Sequence, residues 1–190
     1  MLQFDYWLFS KINQQWTSSF LDAVFLFLRE ANFWAPFYLF LLVFAALNFS
    51  KKGWWWMLGF ILTVSISDII SSHIIKEIIF RPRPCADATI GPYVRFIARY
   101  CPMSSSFTSS HACNHFAMAM FIFFTFKQTS KWWRLVFLWA ALISYAQIYV
   151  GVHYPSDVFC GAIVGSLIGY YMSKFFTNRV GILKVENKYS

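Results

Sequence analysis

The chain has 190 residues, of which 58% are hydrophobic, 22% are aromatic and only 13% are charged. Because soluble domains carry about 25% charged residues, this composition excludes an ordinary soluble domain and indicates an integral membrane protein. The net charge of +8 does not indicate nucleic acid as a partner. The basic residues lie in short segments beside apolar runs, where they orient a chain in a bilayer.

The first 30 residues are apolar but interrupted by charged side chains. Apolar residues recur at helical spacing in two groups, one around Trp7 and one after Trp16. This pattern predicts two short amphipathic helices that lie in the membrane interface, with both tryptophans at headgroup depth. The alternative is a sixth membrane span, which would move the N-terminus to the other side.

Five charge-poor runs follow, and each is close to the roughly 20 residues that a helix needs to cross a bilayer. They are residues 31–50, 53–75, 112–126, 135–156 and 158–173. We therefore predict an all-α fold, a membrane helical bundle with about five transmembrane helices. We expect one membrane-embedded domain over residues 1–190, with interfacial helices in 1–30, the bundle in 31–177 and a polar tail in 178–190.

The distribution of basic residues predicts the orientation of this bundle. Five spans place nine basic residues on one side and seven on the other, so the first side is predicted to be cytoplasmic. The nine are Lys51, Lys52, Lys127, Lys131, Arg134, Lys174, Arg179, Lys184 and Lys188. Cys85 and Cys101 fall in one loop on the opposite, outer side, where an oxidising compartment permits a disulfide. The alternative is that both remain thiols.

Three polar clusters stand at the ends of apolar runs, and all three fall on the predicted outer face. Ionisable groups at such junctions are costly to hold near lipid and therefore indicate a functional site. In the last cluster Asp157 follows His153 by four residues, within the first turn of a helix that Pro155 opens. Asp157 is expected to bond one ring nitrogen of His153 and leave the other free as a nucleophile. The alternative is an ordinary helix cap.

Together the clusters resemble the type-2 phosphatidic acid phosphatase family of integral membrane lipid phosphatases. The first motif of that family is lysine, six residues and Arg-Pro, and Lys76 precedes Arg83-Pro84 with this spacing. The second is Pro-Ser-Gly-His, where this chain has Thr108-Ser109-Ser110-His111. The third is Ser-Arg, five residues, histidine, three residues and aspartate, where this chain has Ala146-Gln147, His153 and Asp157.

The resemblance implies a metal-independent phosphatase that removes a phosphate or diphosphate group from a lipid headgroup through a phosphohistidine intermediate. It implies three catalytic residues, His153, His111 and Asp157. It implies five phosphate-binding residues, Lys76, Arg83, Ser109, Ser110 and Gln147. No cofactor or metal is expected. The expected partners are the bilayer and a phosphorylated lipid: undecaprenyl diphosphate, phosphatidylglycerol phosphate, phosphatidic acid or a lipid A phosphate. The expected location is a bacterial inner membrane, multi-pass, with the active site facing the periplasm.

One departure from the motifs weakens the expected phosphate site. Gln147 replaces an arginine that binds phosphate in the family, and a neutral amide cannot give the two-pronged charged contact of a guanidinium. This leaves open a weakly active or inactive lipid-phosphate binder, and a small transporter is a third class. Arg81 either compensates for the lost charge or extends to the interface. Gln147→Arg is expected to raise activity, and an unchanged or lower turnover would mean that another group already fills the role.

Overall fold

Helices make up the regular secondary structure of residues 2–184, the part of the chain that the computed structural model describes. In chain order they are α1 Leu2–Ser10, α2 Ser19–Leu28, α3 Ala35–Asn48, α4 Ser50–Ile78, α5 Ser110–Phe126, α6 Leu135–Tyr149 and α7 Pro155–Val180. The predicted all-α membrane bundle is confirmed. Lys188 and the end of the predicted polar tail lie outside the described residues.

The N-terminal segment forms two short helices rather than one long one. Helices α1 and α2 have 9 and 10 residues. A π-helical segment, Lys11–Gln15, continues α1. At about 1.5 Å per residue even Leu2–Gln15 is only about 21 Å long, shorter than the ~30 Å hydrocarbon layer. Residues 2–30 therefore do not form the sixth span considered as the alternative. Trp7 and Trp16 are both more than half exposed, and their interfacial position stays a prediction.

Three helical segments are long and apolar enough to cross a membrane: Ala31–Asn48, Ser50–Ile78 and Pro155–Val180. Helices α5 and α6 have 17 and 15 residues, and the predicted count of five spans stays a prediction. Helix α6 ends at Tyr149, earlier than the predicted run 135–156. The chain turns there because Gly151 has a φ of +87° and Pro155 begins α7.

Helix α5 is the centre of the bundle, and α7 packs against it at very short range. The contact uses the stripe of Gly161, Gly165 and Gly169, which the sequence places on one face of α7. A Cβ atom on Gly165 would lie 2.0 Å from the carbonyl oxygen of Cys113. Only a hydrogen atom fits at this position, so the glycine stripe sets the distance between the two helices.

The long loop of residues 79–109 is tied to the end of the bundle that carries the predicted site. Buried Asn13 donates to the carbonyl oxygens of Arg95 and Tyr149, at 2.9 and 2.8 Å, and accepts from the Arg95 amide at 2.8 Å. A disulfide joins Cys85 to Cys101, with the Cα atoms 6.1 Å apart. The N-terminal segment and the disulfide thus hold the loop beside the start of α5 and α7.

Candidate active site

Six of the eight predicted site residues line one cavity of about 700 Å³. They are Lys76, Arg83, Ser110, His111, Gln147 and His153. They come from the end of α4, the long loop, the start of α5, the end of α6 and the loop before α7. Residues up to 77 positions apart in the sequence thus face the same space.

His153 is buried, and its surroundings determine which ring nitrogen carries the proton. The Nη1 atom of Arg83 lies 3.0 Å from Nε2 of His153. A guanidinium can only donate hydrogen bonds, so Nε2 must accept through its lone pair and the proton must be on Nδ1. The unprotonated nitrogen therefore faces the cationic group that lines the cavity. This is the tautomer that a histidine nucleophile requires.

The imidazole and the carboxylate of Asp157 are connected through a serine. Nδ1 of His153 is 3.7 Å from Oδ2 of Asp157, too long for a hydrogen bond. The hydroxyl of Ser106 lies 3.4 Å from Nδ1 and donates to the same carboxylate oxygen. Asp157 is fully buried and also accepts from the backbone amide of Tyr154 at 3.0 Å. The carboxylate thus orients the histidine partly through Ser106.

Arg83 is fixed by the carbonyl groups around it. Its side chain donates to the carbonyl oxygens of Ser104 and Val152, at 3.0 and 3.1 Å, and to the Ser104 hydroxyl at 3.1 Å. Burial lowers the pKa of Arg83 to about 10, which leaves the guanidinium charged at pH 7. Pro82 and Pro84 keep the flanking backbone extended, so that the side chain can reach across to His153.

Helices α4 and α5 form a further part of the cavity wall. Helix α4 widens into a π-helical segment, Ile69–Ile75, immediately before Lys76, a feature often found at functional sites. Within this segment Ser72 donates to the hydroxyl of Ser110 at 2.8 Å. His111 follows in the first turn of α5.

Ser109 does not line the cavity, although it was expected to bind phosphate. Its side chain is fully buried and accepts from the amide of Ala112 at 3.4 Å, as the N-cap of α5. Its own amide donates to the carbonyl oxygen of Asp157 at 3.1 Å. A free helix end needs a side-chain acceptor, and this requirement takes up the hydroxyl. The structure assigns Ser109 to the junction between α5 and α7.

Gln147 contributes to the site through its backbone and through its side chain. Its backbone carbonyl oxygen accepts from the backbone amides of Val152 and His153, both at 3.2 Å, and so holds the loop that carries the histidine. Its side chain is 1% exposed, and Nε2 has no hydrogen-bond partner within residues 2–184. The amide thus presents an unused donor at the cavity wall.

Arg81 occupies neither of the two positions expected from the sequence. It is absent from the cavity wall and donates to Asp157 and to Asp5, each at 2.6 Å. Asp5 is 3% exposed and also accepts from the amide and hydroxyl of Ser156, at 2.9 and 2.6 Å. Arg81 is therefore drawn to two carboxylates behind the histidine, where it neutralises Asp157 from the side opposite His153.

The sequence did not identify Ser106 or Asp5 as members of the site. Ser106 is the last residue of a serine-rich run, and nothing in the run distinguishes it from Ser104 or Ser105. Asp5 is an acidic residue in an otherwise apolar helix, which is a signal for a buried partner. The partner itself, Arg81, is 76 residues away and follows only from the fold.

Comparison with known proteins identifies several membrane phosphatases that are similar to this chain. The chain is 30% identical over 154 residues to a lipid A 4'-phosphatase of Bacteroides thetaiotaomicron, covering 77% of this chain and 67% of the relative. A second lipid A 4'-phosphatase, from Porphyromonas gingivalis, is 30% identical over 61% of this chain and 49% of its own length. An undecaprenyl-diphosphatase of Sulfolobus acidocaldarius is 28% identical over 86% of this chain and 74% of its own length. The chain thus spans between about half and three quarters of these relatives.

A solved structure has the same fold. The crystal structure of Aquifex aeolicus LpxE superposes with a TM-score of 0.61 at 28% identity, over 88% of this chain and 93% of that one. The family model described as the PAP2 superfamily matches residues 53–180, which include all three motifs. This match extends over more than half of the sequence, and the chain belongs to the PAP2 superfamily.

Proposed function

We propose that this multi-pass membrane protein is a lipid phosphatase in which His153 is the nucleophile. The observation that carries the proposal is the contact between the unprotonated Nε2 of His153 and the guanidinium of Arg83 inside one cavity. A phosphate oxygen that binds Arg83 would bring the phosphorus next to this nitrogen.

The shape of the cavity supports a lipid substrate. Away from His153 its wall is apolar and includes Phe60, Ile61, Val64 and Met118. Ile61 is 54% exposed on the outer surface of the bundle, so the cavity reaches the surface that the bilayer covers. A molecule with a phosphate at one end and an acyl or prenyl chain at the other matches this combination.

In the proposed reaction Nε2 of His153 attacks phosphorus as the bond to the lipid oxygen breaks, which leaves the phosphoryl group on the histidine. His111 protonates the departing oxygen and then accepts a proton from the water that hydrolyses the phosphohistidine. Asp157 and Ser106 stabilise the positive charge that develops on the imidazole. Lys76, Arg83 and Ser110 surround the phosphoryl oxygens.

We propose that this reaction proceeds without a metal ion. The cations Lys76 and Arg83 line the cavity together with His153, and they supply to the phosphoryl oxygens the positive charge that a metal would otherwise supply. The carboxylate next to the nucleophile, Asp157, is absent from the cavity wall and bonds Ser106 and Arg81. Asp68 lines the cavity, but its carboxylate accepts from Ser72 and Asn114, each at 3.0 Å. Such a donor set favours an anion over a cation.

The substrate is proposed to be a bacterial envelope lipid that carries a phosphate or diphosphate. The relatives reported above act, by their names, on lipid A and on undecaprenyl diphosphate. The cavity opens at the end of the bundle that the distribution of basic residues assigns to the outside. We therefore place the protein in the inner membrane with its active site facing the periplasm.

The orientation can be tested with a thiol reagent that does not cross membranes. Met103→Cys changes a side chain that is 97% exposed in the long loop, and Ser130→Cys lies in the turn before α6 at the opposite end. In intact cells without an outer membrane, the cysteine at position 103 should react and the cysteine at position 130 should not. The reverse pattern would place the active site in the cytoplasm.

The activity is tested by phosphate release in EDTA from four lipids: lipid A, undecaprenyl diphosphate, phosphatidylglycerol phosphate and phosphatidic acid. Wild type should release phosphate from at least one, and His153→Ala should lose at least about a thousandfold, as expected for removal of a nucleophile. Equal release by both proteins would refute the enzyme. Loss of activity in EDTA with recovery on adding Mg²⁺ would refute metal independence alone.

A further inference from the structure

Arg29 follows α2 and faces the same cavity as His153, although no motif includes it. The end of α2 is held in place from both sides. The Arg29 amide donates to the carbonyl oxygen of Phe25, and the indole of Trp34 donates to that of Leu28 at 2.8 Å. Asp22, about two helical turns earlier, forms an ion pair with Arg95 of the long loop. The backbone at Arg29 is therefore fixed relative to the cavity.

The guanidinium of Arg29 has no counterion among the described residues. Within residues 2–184 it forms no ion pair, and its Nε atom is buried without a hydrogen-bond partner. A buried donor on a charged group is costly to leave unsatisfied, which indicates that something else binds there. Burial lowers the pKa of Arg29. The positive charge of Arg29 also repels that of Arg83 and helps to lower the pKa of Arg83.

Two of the unsatisfied buried donors in the described chain line this cavity: Nε of Arg29 and Nε2 of Gln147. Two further cations, Lys76 and Arg83, face the same space, together with one carboxylate, Asp68. The three cations therefore exceed the negative charge on the cavity wall. Cations that share a cavity repel one another unless an anion lies between them. A phosphate dianion would satisfy both donors and neutralise the positive charge.

We propose that Arg29 is a phosphate-binding residue that supplies the guanidinium missing at position 147. This inference rests on the proposed function. The family motif places an arginine on the last turn of α6, and this chain instead supplies the charge from the segment after α2. Gln147 then contributes a neutral hydrogen bond to the same group.

The proposal predicts that an arginine at position 147 can replace Arg29. Arg29→Ala should lower kcat/KM by about 10- to 100-fold, the range for losing a hydrogen bond to a charged group. Adding Gln147→Arg to this variant should raise kcat/KM by at least about tenfold, which corresponds to regaining one hydrogen bond to a charged group. Arg99→Ala, which removes an exposed arginine of the long loop outside the cavity, is the matched control and should retain wild-type activity.

A second measurement separates phosphate binding from a structural role and from failure of the enzyme proposal. Inorganic phosphate should raise the unfolding temperature of the wild type, Arg99→Ala and Arg29→Ala/Gln147→Arg, but not of Arg29→Ala. This readout needs no turnover, so it tests Arg29 even if His153→Ala and wild type were equally inactive. The proposal would be overturned if Arg29→Ala had wild-type kcat/KM and if phosphate raised its unfolding temperature as much as that of the wild type. A loss of activity that Gln147→Arg does not rescue would also overturn it.

Discussion

Replacing Ser106 by alanine tests how Asp157 controls the nucleophile. Because the carboxylate is 3.7 Å from Nδ1 of His153, the Ser106 hydroxyl is the group that hydrogen-bonds the carboxylate and lies closest to the ring on that side. Without it, the imidazolium that forms during attack loses a polar neighbour, and Asp157 keeps its remaining bonds to Arg81 and Tyr154.

The size of the effect follows from the strength of a charge-assisted hydrogen bond. Such a bond contributes about 1.5–3 kcal/mol. Since about 1.4 kcal/mol corresponds to a factor of ten in rate, kcat should fall roughly 10- to 100-fold. KM should change little, because Ser106 is absent from the cavity wall. The loss belongs to the chemical step and should appear in a single turnover.

The assay is phosphate release in detergent micelles, with kcat and KM measured separately. Ser166→Ala on the outer part of α7 is the control for removing a serine hydroxyl from a helix bundle. If Asp157 instead contacts His153 directly during the reaction, the carboxylate can move toward the ring when the hydroxyl is removed. A kcat within twofold of wild type would then result, and it would refute the role of Ser106.

Three further predictions concern pH, the disulfide and the packing of the bundle. Burial lowers the pKa of His153 from 6.5 to about 4, so kcat/KM should decline on the acid side only near pH 4, and a decline centred at 6.5 would contradict this. Between these values the unfolded chain binds a proton that the folded chain does not, so the unfolding temperature should fall as pH falls from 6.5 to 4. Reducing the bond between Cys85 and Cys101, which closes a loop of 16 residues, should lower the free energy of unfolding by about 3 kcal/mol; an unfolding temperature that is the same with and without reductant would contradict it. Gly165→Ala should destabilise the fold by about 1–3 kcal/mol through overpacking, whereas Gly91→Ala, whose new Cβ would meet no atom closer than 3.6 Å, should be neutral; equal unfolding temperatures would refute the close contact.

The sequence predicts the helices well, because helices depend on local patterns. Long apolar runs gave α3, α4 and α7, and Pro155 marked the start of α7. The end of α6 was predicted too late, because hydrophobicity continues through Val150 and Val152 after the helix has stopped. These valines are buried in the protein, and hydropathy alone cannot distinguish such burial from contact with lipid.

Motif spacing predicted the cavity residues that belong to the three motifs, but not their partners from other parts of the chain. Lys76, Arg83, His111 and His153 were identified by residue type and spacing, and the structure brings them to one cavity. Ser109 was expected there, but the need to cap α5 takes its hydroxyl away from the cavity. The partners that come from the N-terminal helices depend on tertiary packing across more than 70 residues, which leaves no pattern in the sequence.

The central claim is that His153 accepts the phosphoryl group. Its most direct test is rapid quenching of the enzyme with a ³²P-labelled lipid phosphate, followed by mass spectrometry of the peptides under alkaline conditions that preserve phosphohistidine. The account predicts a transient phosphoryl group on His153 that appears within the first turnover and is absent from His153→Ala. Turnover without any label on His153, or label on a different residue, would contradict it.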